Sequence, residues 1–208
     1  AQSLRGPDVH YLSQDLGDEA EPADPHVIDS PSELFGLAES LSLDVLHLHK
    51  SVAHLPDDRV PTVRTMHGHQ ASCPSGTRYL SRWGQPCTRV PSLPACLWGH
   101  VVDRCGSLRP RNVASNVSRL QHEIEFAARV PTLPVSDFLR SRMIEAGCPP
   151  EQLQTIHSPA PRVDRSTSMP RTGHPRFLFV GRLAPQKGVM WLLRAFARTP
   201  EDAHLHIA

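Results

Sequence analysis

The chain has 208 residues, enough for one well-packed core or for one domain plus part of another. Its 22 basic and 21 acidic residues leave a formal net charge of +1. That balance excludes the broad basic field with which proteins hold nucleic acid, so no nucleic-acid partner is expected. Prolines number 21 and hydrophobic residues make up 39%, which implies many rigid turns, while recurrent apolar runs argue against disorder.

The opening stretch Ala1-Gln2-Ser3-Leu4-Arg5-Gly6-Pro7 has no signal-peptide core and no initiator Met, so trimming at that end is expected. No apolar run approaches the roughly 18 residues that would cross a bilayer. The default setting is therefore cytoplasmic, with peripheral contact at the inner face of the membrane left open.

In chain order, Val9 to Leu12 and His26 to Ile28 read as short strands. Ser30-Pro31-Ser32-Glu33 combines an N-cap Ser, Pro at the first helical position and Glu three residues after the cap. Leu34, Leu37, Ala38 and Leu41 then recur at helical spacing. Asp44 to His49 and Val60 to Met66 read as strands, and each runs directly into or ends on a histidine, His49 and His67. Pro61 suits only a strand start or edge. Residues 68–110 hold Gly, Pro, Ser and four of the five cysteines with little periodicity; they read as a long structured loop with room for one short helix, and loops of that length are usually functional.

Asn112 to Ala128 returns to helix, with Val113, Val117, Leu120 and Ile124 as its apolar stripe. Val130 to Val135 reads as a strand. Ser136 caps a helix running to Ala146, and Gly147 suits the left-handed position just past its end. Leu153 to His157 reads as another strand. The alternation of strand and helix predicts a parallel sheet covered on both faces. Residues 158–175, rich in proline, look like a linker. Beyond it, Phe177-Leu178-Phe179-Val180 is a continuous apolar run of the kind buried on both faces. Gly181 to Gly188 forms a basic loop, Val189, Leu192, Leu193 and Phe196 form a helix stripe, and Ala203 to Ala208 starts another strand.

That strand, loop and helix suggest an anion site. A helix N-terminus presents unpaired N–H groups and a positive dipole end. Arg182 would fork onto phosphate oxygens, Lys187 would add a point charge, and Gly181 and Gly188 would allow close backbone approach. The bland alternative is a pair of solvated loop charges.

Phe179 to Gly188, followed by Leu192-Leu193-Arg194-Ala195-Phe196, resembles the opening of the C-terminal domain of family 4 glycosyltransferases of GT-B fold. Upstream, Asp44 to His49, Thr65-Met66-His67 followed by Cys73-Pro74, Pro134 to Leu139 and Ala146 to Glu151 resemble the N-terminal domain of that family in order and spacing. The resemblance covers roughly residues 40–208. It implies an α/β chain: a Rossmann-like, acceptor-side parallel-sheet domain over residues 1–158, a linker over 159–175, and over 176–208 the first βαβ unit of a second Rossmann-like domain that binds the nucleotide sugar. It also implies retaining transfer of a sugar, of hexosyltransferase type, from a nucleotide-diphosphate donor to a glycan or lipid-linked acceptor, as in polysaccharide biosynthesis. Gly181, Arg182, Lys187 and Gly188 match positions that hold the donor diphosphate, and His67 matches a catalytic histidine that faces the transferred sugar.

The chain departs from the family at Gly68, where an Asp often follows the histidine. No glycine-rich first loop is visible before Val9, and the family's two donor-contacting glutamates would fall beyond Ala208. The 208 residues alone are therefore expected to bind donor poorly and to transfer nothing. Alternative readings are a non-catalytic homologue serving as a binding domain and another GT-B enzyme such as a sugar-nucleotide epimerase. No cofactor is expected beyond the donor itself. Cys73, Cys87, Cys96 and Cys105 are separated by 13, 8 and 8 residues. No pair is a Cys-x-x-Cys knuckle, so buried or free thiols are the first reading and a structural zinc on all four the second. Cys148 reads as ordinary packing.

Overall fold

The computed structural model describes residues 11–13, 25–27, 33–50, 52, 55–56, 59–159, 173–199 and 202–208. Strands β1 (Tyr11–Ser13) and β2 (Pro25–Val27) pair in parallel with each other. The Ser30-Pro31 helix start lies outside the described residues, and helix α1 spans Glu33–Ser40. A parallel sheet follows, made of β3 (Leu46–Leu48), β4 (Thr62–Met66) and β7 (Thr132–Pro134) in the order β3-β4-β7. Between β4 and β7 lie the two-residue antiparallel strands β5 (Tyr79–Leu80) and β6 (Gln85–Pro86), then helix α2 (Leu93–Val101) and helix α3 (Pro110–Arg129). Helix α4 spans Asp137–Glu145. Strand β8 (Arg176–Phe179), helix α5 (Val189–Phe196) and strand β9 (His204–Ile207) form a further parallel pair with its crossover. The fold is mixed α/β with parallel strand pairs.

The one parallel sheet expected over residues 1–158 is instead three small sheets among the described residues, β1-β2, β3-β4-β7 and the antiparallel β5-β6, while β8-β9 is a separate parallel pair. The strand read over Leu153 to His157 is also corrected: only Leu153 bridges, to Thr132. Gln154 and Ile156 do donate to the carbonyls of Thr132 and Pro134 (3.2 and 3.0 Å), but Pro134 has no N–H to return, so the ladder stops there. Pro61 sits just ahead of β4, where its carbonyl accepts from the Leu46 amide (2.8 Å) and its missing donor costs nothing. Ser136 caps α4 by accepting from the Leu139 amide (3.2 Å), and Gly147 takes a φ of +104° just past the helix.

In-register parallel pairing puts Leu46, Leu48, Arg64, Met66, Thr132 and Pro134 on one face. Helices α1 and α3 cover part of it: Leu34, Ala38, Leu46, Leu48, Val60, Phe126 and Val130 make one cluster. Met66 makes a second with Ala71, Ala127, Leu139, Met143, Cys148 and Leu153. On the opposite face Thr65 is buried but His47 is exposed, so the described elements leave that face partly open. The 176–208 unit differs from its expected burial: Phe177 is 46%, Leu178 69% and Trp191 63% exposed, and Val189 is the one side chain of helix α5 that is buried.

Arg64 and Glu123 form an ion pair at 2.6 Å with side chains 0% and 3% exposed, and the Arg64 guanidinium lies 4.5 Å from the centre of the Phe126 ring. Glu123→Leu would leave a buried cation without its carboxylate and is expected to cost about 3–5 kcal/mol. The double variant Arg64→Met, Glu123→Leu should recover most of that loss. Urea unfolding of both proteins checks this; equal losses would show that the pair is not coupled.

Candidate functional site

A cleft of about 380 Å³ opens at the carboxyl ends of β3 and β4, where ligands gather in open parallel sheets. Strand β3 leads into it with His49 and Lys50, β4 with Arg64, Thr65, Met66, His67 and Gly68, and α3 contributes Arg119 and Glu123. The two histidines that follow these strands meet: His49 Nδ1 lies 2.9 Å from His67 Nε2, with the rings stacked at 5.2 Å. Residues 47, 49, 65 and 67 project to the same side by the two-residue strand period. His47 accordingly lies 4.6 Å from the His49 ring, and its Nε2 is 2.8 Å from Thr65 Oγ1.

At 2.9 Å one imidazole must donate and the other accept, so the pair holds its bond only while at least one ring is neutral. Burial, then the charges of His47 and His67, hold His49 below the ordinary imidazole value. The cleft is otherwise cationic, with Lys50, Arg119 and the buried Arg64 against Glu123 alone. Arg64 keeps Nε and Nη2 without a hydrogen-bond partner among the described residues. Arg119 is held by donating to the Pro74 carbonyl (2.7 Å).

Gln70 is a cleft residue that its sequence position does not signal. A Cβ added at Gly68 would meet Gln70 Oε1 at 2.7 Å and Nε2 at 3.1 Å. The glutamine amide thus fills the space that a side chain at residue 68 would enter. Lys50 and Arg119 were also not legible as site residues, since each is one charged residue among 43 basic and acidic ones until the fold brings them together.

The residues read as diphosphate-binding lie in the β8–α5 loop. Gly181 has φ +149° and donates to the Ala208 carbonyl (3.2 Å); Gly188 has φ +71° and caps both the preceding 3-10 turn (Pro185–Lys187) and the start of α5. No atom lies within 4 Å of a Cβ built on Gly188, so its backbone conformation, not crowding, calls for glycine there. Arg182 and Lys187 are exposed and make no side-chain hydrogen bond or ion pair among the described residues. Neither lines the histidine cleft.

The 68–110 loop brings Cys73, Cys87, Cys96 and Cys105 around one cavity of about 30 Å³, whereas Cys148 sits apart in the second core cluster. All five thiols are free. Burial, then the neighbouring thiols, push Cys105 up to about 11. As the side chains stand, no three His, Cys, Asp or Glu groups among the described residues adopt metal-ligating geometry. None of the described helices is long and apolar enough to cross a membrane.

A lowered histidine value has a definite sign. The unfolded chain takes up the His49 proton more readily, so this contribution to stability is present above about pH 6.5 and is lost as pH falls through the lower folded value. His69, lowered by burial, then by Arg78 and Arg142, acts in the same direction. The His49 ring protons should therefore titrate below the free-histidine midpoint by NMR, and the urea midpoint should fall on acidification. His49→Asn should flatten that fall; an unchanged pH profile would remove the histidine pair as its source.

Searches against family models, curated proteins and solved structures return no match to this chain.

Proposed function

We propose that this chain carries the acceptor-side domain and the diphosphate-gripping loop of a retaining glycosyltransferase that uses a nucleotide-diphosphate sugar. The observation that carries this reading is the β8–α5 loop. A left-handed Gly188 opens helix α5, and two cations without side-chain partners among the described residues, Arg182 and Lys187, belong to the same loop. An anion there would meet the helix's first N–H groups, its dipole end and both side chains together.

Sugar transfer breaks the bond between the anomeric carbon and the diphosphate oxygen. Negative charge grows on the departing diphosphate, so fixed cations stabilise the transition state more than the ground state. The His49–His67 pair supplies hydrogen bonds for a sugar hydroxyl at the cleft. The cationic lining of that cleft suits an acceptor carrying phosphate or carboxylate, such as a lipid-linked sugar.

Gly68 favours a second reading, a binding domain without catalysis, because Gln70 fills the place of the carboxylate that often follows the family histidine.

Titrating the chain with inorganic pyrophosphate and with uridine diphosphate, followed by amide NMR, tests the loop. Shifts should centre on residues 181–191 at millimolar affinity, on the order of −4 kcal/mol, weaken with salt, and fall at least about tenfold with Arg182→Ala. In the product of the whole coding region, the same substitution should lower kcat/KM for sugar transfer by roughly a hundredfold or more. Loop binding without transfer would select the non-catalytic reading. Absence of shifts at the loop would refute both the diphosphate assignment and the enzyme built on it.

A further inference from the structure

The 68–110 loop has little apolar material to hold it. Among its hydrophobic side chains only Ala71 and Leu80 are buried, while Trp83, Leu93, Trp98 and Val101 are exposed. Polar groups do the ordering. The buried Arg78 guanidinium donates to the carbonyls of Ser72, Cys87 and Arg89, each at 3.0 Å. Asp103 accepts from Trp83 Nε1 (2.7 Å) and pairs with Arg89. These bonds also fix the cysteine backbones: Cys87 donates to the Arg78 carbonyl (2.7 Å), Cys96 to Ser92 (2.8 Å) and Cys105 to Gly99 (3.2 Å), while Cys73 accepts from Gly76 (2.9 Å).

Those four cysteines line one cavity of about 30 Å³. At roughly 10–15 Å³ for each water-sized occupant, that is space for one or two such bodies and nothing larger. Gly99 explains how the fourth sulfur arrives. It stands three residues after Cys96, at the second cysteine position of a knuckle, and so breaks that pattern in the sequence. A Cβ built there would come within 3.0 Å of Cys105 Sγ. The absence of a side chain at Gly99 is filled by the sulfur of a residue six positions further on.

We propose that Cys73, Cys87, Cys96 and Cys105 bind one zinc-class divalent cation in this cavity as a tetrathiolate structural site that pins the 68–110 loop. Four zinc–sulfur bonds of about 2.3 Å require sulfurs about 3.8 Å apart. The four cysteines line the wall of the cavity, and binding at that spacing requires their side chains to turn inward to other staggered rotamers. Binding replaces four S–H bonds with four metal–sulfur bonds and releases the protons to solvent, with no change of oxidation state. The tetrathiolate carries formal charge −2, and Arg78 and Arg89, both lining the cavity, face that charge. His100, buried in the same wall, holds Nδ1 2.7 Å from the Cys96 carbonyl, which orients that cysteine.

The test uses the full 208-residue chain purified under reducing conditions. Native mass spectrometry should show one bound zinc, and cobalt replacement should give the intense visible bands of tetrahedral cobalt thiolate. Differential alkylation should show zinc protecting four cysteines and leaving Cys148 unchanged. Cys148→Ala should keep the cobalt spectrum, and Cys105→His should keep tetrahedral coordination with altered charge-transfer bands. A folded, reduced chain that binds no cobalt would overturn the site. So would equal alkylation of all five cysteines with and without zinc, or disulfides between these four in the protein as isolated from its cells.

Discussion

The buried Arg64–Glu123 pair is the contact on which the first unit depends. It joins the middle strand of the three-stranded sheet to the longest helix, 59 residues later in the chain. Apolar packing alone would let α3 slide or rotate over a surface of Leu, Val and Met side chains with small cost. A carboxylate that must meet a buried guanidinium allows one register. Phe126, three residues after Glu123, then stacks against the same guanidinium and enters the first core cluster, while Ala127 enters the second. One ion pair thus divides the core and places α3 against both halves.

The cleft follows from that register. Arg119 lies four residues before Glu123 on the same helix, so fixing Glu123 fixes which residue overhangs the carboxyl ends of β3 and β4. The strands contribute through their in-register parallel pairing: Leu48 opposite Arg64 puts His49 and His67 on one side of neighbouring strand ends. An antiparallel pairing would have sent them to opposite ends of the sheet. Partial burial of the His49 ring just past β3, then the charges of His47 and His67, is what lowers its affinity for protons. Position, hydrogen bonding and charge state of the histidine pair are therefore consequences of how the sheet is assembled.

Much of this was legible in the sequence where local chemistry decides the outcome. Ser136 and Gly147 bracket α4 because a side-chain cap and a left-handed glycine act within one turn. The β3 and β4 runs and the α3 helix were readable for the same reason, and so was the presence of histidines at two strand ends; of the expected α3 stripe only Leu120 is buried, joined by Glu123, Phe126 and Ala127. That those histidines touch was not readable, because register is a property of two strands and not of either. The β5–β6 hairpin has two residues on each side, too short for any period to register. The strand read at Leu153 failed through one proton: Pro134 on the facing strand cannot donate. Lys50, Gln70 and Arg119 gave no signal because a single polar residue reports its neighbours only after folding. The cysteine spacing misled in the opposite direction, since Gly99 breaks the knuckle pattern in sequence while making room in space for Cys105.

These features share a cause in composition. With 39% hydrophobic residues and 21 prolines, the chain cannot line every element with apolar side chains. Two apolar clusters serve the three-stranded sheet, and beyond them order comes from polar groups removed from water together with their partners. Arg64 with Glu123, Arg78 with three carbonyls and Asp103 with Trp83 and Arg89 are each costly if one member is lost and directional while all are present. Directional contacts hold a loop in one arrangement where apolar contacts would tolerate several. A long loop so held keeps its place beside the cleft, through Arg119 on the Pro74 carbonyl, without a core of its own. Arg182 and Lys187 lie outside that scheme: exposed and without side-chain partners among the described residues, they keep the full charge that the proposed diphosphate would meet.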